Sequence, residues 1–396
     1  MRVNRALRVG WAVAVIGLGA LALGACGGDG EPDATRVIAR GQPITIGVST
    51  MVQGELATLG GSLRDAAQLA GDGVYIAGHP IRFVTVNDGC NRLGGERAAR
   101  ALVSLDVVAV VGPSCSGAVL GSQPGYEAAG VTQISQLSTN PATTHPEGRE
   151  PFRTFLRTAF NDDVQGVEQA DFAQNTLKVA DVFIAFEAFR YGGAVDQFRA
   201  AFTGKVVGEA GFEADGVEAA AKAAAAAKPS LVYFSGFFDT GVPFIRALRA
   251  AGYAGPVLGG DAIFDPAVIS GLGALAEPGL YVTLPSPPAQ GVAYNAFVAK
   301  YTARYRADPH GTAFLAESYD AATVILTALQ APGVAEDRDG VLHINLARLN
   351  AAIHKVEIAG ASGRVAFDER GDRQAEGLDP VTIFTVKDGR FVIVPR

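Results

Sequence analysis

The sequence has fewer basic residues than acidic ones. Its 396 residues include 33 lysines and arginines against 40 aspartates and glutamates, so the formal net charge is −7. The first 25 residues carry Arg2, Arg5 and Arg8 but no acidic residue, so a chain without them is more negative still. A nucleic-acid-binding protein needs a basic face for the phosphate backbone. The deficit of positive charge therefore argues against a nucleic-acid partner.

Residues that carry catalysis or hold metals are also scarce. There are five histidines, and no two have the i, i+4 spacing of a helical zinc site. The run 112–116 resembles a nucleophile elbow but lacks its final glycine. The glycine patterns at 17–22 and 271–276 do not lie between a strand and a helix start, and no Gly-Lys-Ser/Thr loop occurs. We therefore expect no enzymatic activity, no cofactor and no metal site.

A long apolar run occurs only at the N-terminus. Gly10–Leu23 follows three arginines and leads into Gly24-Ala25-Cys26. The run is shorter than the roughly 20 residues of a membrane span, and positive, apolar and small residues in this order are typical of a signal peptide. We interpret residues 1–25 as a lipoprotein signal peptide and Cys26 as the lipidated residue. The alternative is an ordinary secretory peptide cleaved near Ala25.

Either interpretation implies that the mature protein works in the cell envelope, at the outer face of the cytoplasmic membrane or in the periplasm. The residues that follow Cys26 are polar and rich in Gly, Asp and Pro. Such a composition predicts a flexible segment. We expect residues 26–43 to form the lipid anchor and its tether.

Cysteine is scarce as well, because only Cys90 and Cys115 remain once Cys26 is assigned to the anchor. Two cysteines in an oxidising compartment suggest one disulfide, which at this separation stabilises by about 3 kcal/mol in the chain-entropy model. Two free thiols are the alternative. A zinc site would need further ligands that this spacing does not supply.

What the mature sequence does contain is a regular alternation of β-branched runs and alanine-rich helical patterns. About 370 residues exceed one typical core, so two domains are expected. Strand and helix alternating at this interval predict two doubly wound parallel α/β sheets. The predicted strands are 44–49, 81–87, 107–112, 131–135, 179–186, 205–210, 231–234, 257–259, 381–386 and 390–394. The predicted helices are 59–71, 95–104, 193–202, 217–227, 242–251 and 314–330.

Small polar residues follow several of these strands, at the edge where open α/β sheets bind ligands. Ser116 and Thr139 come after two neighbouring strands, each followed by a probable helix start that offers N–H donors to a carboxylate. The alternative is that both residues only cap helices. Asp261 follows the strand 257–259 and could pair with an ammonium, or serve as an ordinary loop aspartate.

The same stretches resemble the leucine/isoleucine/valine-binding proteins of bacterial ABC importers. No single motif is decisive, but many occur in the right order across nearly all of residues 44–396. The similar stretches are 44–49, 87–91, 111–117, 138–141, 231–236, 258–261, 316–321 and 365–368.

The resemblance implies a type I periplasmic binding protein fold, with two α/β lobes joined by a three-segment hinge and a Cys90–Cys115 disulfide. We expect an N-terminal lobe of residues 44–158 plus 286–366 and a C-terminal lobe of residues 159–285 plus 367–396.

The resemblance also implies a ligand site between the lobes. By position, Ser116, Leu137 and Thr139 match residues that hold an α-carboxylate, and Tyr191 and Asp261 match residues near an α-ammonium. The chain departs from the family at two positions: Phe237 stands where a tyrosine is frequent, and Leu59 where the side-chain pocket commonly has an aromatic residue.

We therefore expect a monomeric, lipid-anchored solute-binding protein that delivers a branched-chain or related amino acid to an ABC permease. The alternative is a sensor domain that reports amino acids or short amides to a signalling partner. A third possibility, an extracellular hydrolase, is disfavoured by the missing catalytic groups.

Overall fold

The structure is a computed structural model that describes residues 34–188, 194–277 and 279–395. Its strands, in chain order, are β1 (Thr35–Ile38), β2 (Ile44–Thr50), β3 (Tyr75–Ile76), β4 (His79–Asn87), β5 (Ala109–Val111), β6 (Thr132–Ser135), β7 (Phe155–Arg157), β8 (Asp181–Glu187), β9 (Lys205–Phe212), β10 (Leu231–Ser235), β11 (Val257–Gly259), β12 (Leu280–Leu284), β13 (Ala335–Arg338), β14 (Val341–Asn345), β15 (Ile358–Gly360), β16 (Gly363–Val365), β17 (Thr382–Lys387) and β18 (Arg390–Ile393). Its α-helices are α1 (Ala57–Ala70), α2 (Arg92–Ser104), α3 (Ser116–Ala129), α4 (Asp162–Asp171), α5 (Ala194–Ala201), α6 (Val217–Ala227), α7 (Phe238–Ala250), α8 (Pro266–Leu272), α9 (Gly291–Tyr305), α10 (Leu315–Leu329) and α11 (Leu346–Ile353).

Two large sheets dominate the fold. The first has the order β3-β4-β2-β5-β6-β7, and the second has the order β18-β17-β12-β11-β10-β8-β9. Both are mainly parallel; β3 in the first and β17 and β18 in the second pair antiparallel. Every residue of β2 is buried, as expected for a parallel strand covered on both faces. The predicted α/β class is therefore confirmed.

Helices cover both sheets. The pairs α2–α3 and α1–α10 pack over the first sheet, and α4–α5 and α6–α7 over the second. We call the part built on the six-stranded sheet the first lobe and the part built on the seven-stranded sheet the second lobe. The aromatic face of α9 is core, since Tyr294, Phe297 and Tyr301 are buried.

The chain passes between the two sheets three times: after β7, after β12 and between β16 and β17. Backbone hydrogen bonds hold the three crossovers together. Phe160 N–H donates to Pro285 O (3.0 Å), and Arg157 N–H donates to Gly371 O (2.9 Å). This is the three-segment connection that the family resemblance implies.

The two last predicted strands, 381–386 and 390–394, form a C-terminal hairpin. Strands β17 and β18 pair antiparallel across Asp388-Gly389. Both turn residues have positive φ, 51° and 68°, as a type I′ turn requires, and this turn suits the twist of the flanking strands.

The structure departs from the predicted tether at residues 35–38. This segment, expected within the flexible stretch 26–43, forms β1 and pairs antiparallel with β14 in a three-stranded sheet with β13. The reason is an alternating pattern in which Arg36 and Ile38 are partly buried while Thr35 and Val37 are exposed. The body of the protein therefore begins before residue 44.

Candidate functional site

A cavity of about 650 Å³ lies at the carboxyl ends of the two sheets, with walls from both lobes. Strands β5 and β6 lead into its first-lobe wall, and β10 and β11 lead into its second-lobe wall. This is the edge of a parallel sheet at which the dipoles and the loops favour ligand binding. Six residues expected at the site line the cavity: Leu59, Ser116, Leu137, Thr139, Phe237 and Asp261. The seventh, Tyr191, lies outside the described residues.

The first-lobe wall carries hydrogen-bond donors. Helix α3 begins at Ser116 directly after the loop that follows β5, and its N-terminal end faces the cavity. The Ser116 Oγ accepts the N–H of Asn140 (3.3 Å) and lies 3.0 Å from the Ser138 Oγ. Helix N-termini carry free N–H groups and a positive dipole end, so this wall suits an anion.

The capping alternative for Ser116 and Thr139 does not hold. The N-cap of α3 is Cys115 and makes no side-chain cap bond. After β6 the chain forms only the 3₁₀ turn Pro141–Thr143 rather than an α-helix, and Asn140 caps it through Oδ1 and the Ala142 N–H (2.8 Å). Both hydroxyls are thus left for other partners at the cavity wall.

The second-lobe wall is acidic. Asp261 starts a 3₁₀ turn after β11, and Asp162 starts α4. Both line the cavity, and Asp162 is 3% exposed. Burial and, next, the charge of Asp162 raise the pKa of Asp261 to about 7, although a hydrogen bond from Gln165 lowers it. Because a nearby positive charge favours the ionised form of a carboxyl, this wall suits a cation.

Comparison with known proteins identifies the family at this point. The family model for periplasmic binding proteins matches residues 43–390. The chain belongs to the periplasmic binding protein family. The expected type I fold is therefore confirmed, and so is the prediction of a binding protein rather than an enzyme.

Two relatives and a solved structure to which the chain is similar are also binding proteins. An amino acid binding protein of Pseudomonas aeruginosa is 29% identical over 236 residues, and the match spans 56% of this chain and 61% of that protein. A Leu/Ile/Val-binding protein of Rhizobium johnstonii is 26% identical over 349 residues, 85% of this chain and 90% of that protein. The crystal structure of a leucine binding protein from Thermotoga maritima has a TM-score of 0.77 at 25% identity, over 89% of this chain and 98% of that one.

Much of the remaining lining of this binding protein's cavity is apolar, although Arg92, Gln165 and Asp265 also line it. The first lobe contributes aliphatic side chains and Phe314, and the second lobe contributes phenylalanines. The apolar lining comprises Met51, Leu56, Leu59, Leu120, Leu137, Phe237, Phe238, Phe264, Ala313 and Phe314. Phe237 precedes α7 as its N-cap and brings an apolar ring where a tyrosine would bring a hydroxyl. An apolar wall between donors and carboxylates suits an apolar side chain.

Asp162 of this binding protein was not predicted as a site residue, because the sequence pattern did not indicate α4. The helix is short and follows the first crossover, where no strong hydrophobic period precedes it. A usable signal exists in Asn161-Asp162-Asp163. Asn161 is the N-cap and accepts the Val164 N–H (3.2 Å), and acidic residues favour a first turn.

A disulfide joins Cys90 to Cys115 in the cavity wall, with a Cα–Cα distance of 5.1 Å. It ties the loop before α2 to the N-cap of α3. Beneath it, the buried Asp88 accepts the Cys90 N–H (2.9 Å) and the Ser49 hydroxyl (3.1 Å), and burial raises the pKa of Asp88. The donor wall is thus fixed by both covalent and polar contacts.

Two further observations concern the described part of the chain alone. Within it, no cluster of three or more His, Cys, Asp or Glu side chains could hold a metal ion. Nor is any of its helices long and apolar enough to cross a membrane. Cys26, the expected lipidated residue, lies outside the described residues.

Proposed function

We propose that this protein is the solute-binding component of an ABC importer and that its ligand is an amino acid with an apolar side chain, branched-chain or related. The division of charge across the cavity carries the proposal. Donors line the first lobe, carboxylates that include Asp162 and Asp261 line the second, and apolar side chains lie around them. A zwitterionic amino acid has the complementary distribution.

In the proposed complex, the ligand carboxylate accepts the hydroxyl protons of Ser116 and Thr139 and backbone N–H groups at the start of α3. The ligand ammonium lies against Asp162 and Asp261. Charge-assisted hydrogen bonds of this kind are about twice as strong as neutral ones. The ligand side chain packs against Leu59, Phe314 and their apolar neighbours.

The relatives support this class of ligand, because two of the three are named for leucine or for Leu/Ile/Val binding. A family of periplasmic binding proteins further implies an ABC permease as the membrane partner, and we propose that the binding protein acts as a monomer. A thermal-shift screen of the mature protein against amino acids and their amides tests the proposal. Leucine, isoleucine or valine should raise the unfolding midpoint; a response to amides alone would refute it.

The division of charge between the two lobes also predicts that ligand binding closes the cleft between them. We propose that residues 44–158 plus 286–366 move against residues 159–285 plus 367–396, which places the three crossovers at the hinge. A ligand that contacts donors on one lobe and carboxylates on the other favours the closed form, because only that form makes both sets of contacts.

Ligand affinity should depend on pH through Asp261. Its pKa of about 7 in the free protein means that the carboxyl is protonated below that pH. The ligand ammonium stabilises the charged form, so affinity should be greatest above pH 7 and fall by up to about tenfold for each unit below it. Calorimetry in buffers with different ionisation enthalpies should detect proton release on binding at pH 6. Binding without pH dependence from 6 to 8 would contradict this reading of Asp261.

We further propose that Cys26 anchors the protein to the membrane through lipid, with residues 1–25 removed as the signal peptide. The motif Leu23-Gly24-Ala25-Cys26 after the apolar run supports this. Cys26→Ser should release the protein from membranes or leave it unprocessed, as seen by fractionation and mass spectrometry. A variant still processed at residue 26 and still acylated in the membrane fraction would rule the proposal out.

A further inference from the structure

The Ser138 hydroxyl has one partner among the described residues. Ser138 lies between the two cavity residues Leu137 and Thr139, but its own side chain is 0% exposed. Its Oγ lies 3.0 Å from the Ser116 Oγ, and no other side-chain or backbone acceptor contacts it in the described part of the chain. A buried hydroxyl proton without an acceptor is unfavourable, so Ser138 donates its proton to Ser116.

Ser116 receives a second hydrogen bond from a group that can only donate. The backbone N–H of Asn140 points at the Ser116 Oγ over 3.3 Å. A serine oxygen has two lone pairs and one proton. Because Ser138 and Asn140 donate to both lone pairs of the Ser116 Oγ, the O–H bond of Ser116 points in the one direction that these two donors leave open. Since Ser116 lines the cavity, that O–H is directed into it.

We propose that Ser138 is a positioning residue that makes Ser116 a donor and not an acceptor toward the ligand. This inference rests on the proposed function and deepens it. A carboxylate only accepts hydrogen bonds, so it fits a wall whose hydroxyl only donates. The NH₂ of a carboxamide only donates, and Ser116 has no lone pair left for it.

The protein sets the position of Ser138 without help from a ligand. The Ser138 N–H donates to the Ser135 Oγ (3.1 Å), and that hydroxyl donates to Pro113 O (2.6 Å). The Ser138 carbonyl accepts from Arg157 Nη1 (3.1 Å). The direction of the Ser116 proton is therefore built in before ligand arrives.

The test compares L-leucine with L-leucinamide by calorimetric titration at about pH 7. The wild-type protein should prefer the carboxylate. Ser138→Ala frees one lone pair of Ser116, which can then turn to accept an amide N–H, so the ratio of the two dissociation constants should fall by about tenfold. In a Ser116→Ala background, Ser138→Ala should leave the ratio unchanged, because Ser138 acts through Ser116.

Ser122→Ala is the matched control. Ser122 is also 0% exposed and hydrogen-bonded, to Val119 O (3.0 Å) and Gln133 Oε1 (2.9 Å), but it does not line the cavity. Its replacement should leave the ratio unchanged. If Ser138→Ala does not fold, Ser138→Cys removes the strong donor at similar size and should lower the ratio in the same direction.

Two outcomes would overturn the positioning role alone. The first is an unchanged ratio of dissociation constants in Ser138→Ala, whether both affinities equal those of wild type or both fall by the same factor. The second is the same change in ratio when Ser138→Ala is made in the Ser116→Ala background. A wild-type protein that binds neither compound would instead refute the proposed function, and the positioning role with it.

Discussion

Replacing Asp261 by asparagine should weaken amino-acid binding by about 30-fold or more, which corresponds to about 2–5 kcal/mol for a buried charge pair. The substitution keeps the shape of the side chain and removes its charge, so the ligand ammonium keeps only Asp162 as an anionic partner. The measurement is calorimetric titration at about pH 8, where Asp261 is ionised in the wild-type protein because its pKa is about 7.

Asp265→Asn is the matched control for that variant. Asp265 lines the same cavity from the same lobe, but its Oδ1 accepts the Ala267 N–H (2.7 Å) as the cap of α8. Asparagine caps helices about as well as aspartate, so affinity should change little. Equal affinities for wild type and Asp261→Asn would exclude Asp261 from the ammonium site and favour a neutral ligand.

Replacing Arg157 by methionine should destabilise the fold by about 3–5 kcal/mol, the usual cost of removing one partner of a buried ion pair. Arg157 is 0% exposed, and its Nε contacts Asp372 Oδ1 at 2.5 Å. Its Nη1 also donates to the carbonyls of Ser138 (3.1 Å) and Asn140 (2.9 Å). The variant leaves Asp372 at the third crossover without the Arg157 cation and removes one donor from each carbonyl, although the Asn140 carbonyl still accepts the Thr143 N–H (3.2 Å).

Urea unfolding of the variant measures this free energy. Arg100→Met is the control: Arg100 pairs with Glu96 on the exposed face of α2, where such a pair contributes only about 0.3–0.5 kcal/mol. An Arg157→Met/Asp372→Leu double variant should recover part of the loss, since no unpaired charge stays buried. If Arg157→Met and Arg100→Met unfold at the same urea concentration, Arg157 does not stabilise the fold in this way.

The parallel strands were the part of the fold most readily predicted. Strands such as β2 and β10 are covered by helices on both sides, and that environment selects continuous apolar, β-branched runs. Their position in the chain then located Ser116, Thr139 and Asp261, because ligand-facing loops follow the carboxyl ends of such strands.

The elements that the sequence did not predict lack such a continuous apolar pattern. Strand β1 has four residues with only alternate partial burial, and its pairing with β14 joins positions about 310 residues apart; no local pattern encodes such a contact. Asp162 was missed with the short helix α4. Its proximity to Asp261 depends on how the first crossover enters the second lobe, since the Asp162 N–H donates to Thr139 O (2.9 Å) at the cavity wall.

The direction of the Ser116 proton could not be predicted either. The spacing of Ser116 and Thr139 indicated hydroxyls near a helix start but left capping open. Only the distances from Ser116 to Ser138 and Asn140 distinguish a hydroxyl that caps a helix from one that faces a ligand. The sequence thus predicted which hydroxyl residues lie at the site, but the direction of the Ser116 O–H depends on contacts between separate loops.

Titration of the purified mature protein with L-leucine, L-isoleucine and L-valine decides whether it binds branched-chain amino acids. We predict saturable binding of at least one of them at one site per chain, with a stabilisation of about 2.7 kcal/mol at 100 times its Kd. Asp261→Asn should abolish most of that binding while its unfolding free energy without ligand stays near that of wild type. Failure of all three amino acids to bind, with tight binding of an uncharged amide instead, would show that the ligand is not an amino acid.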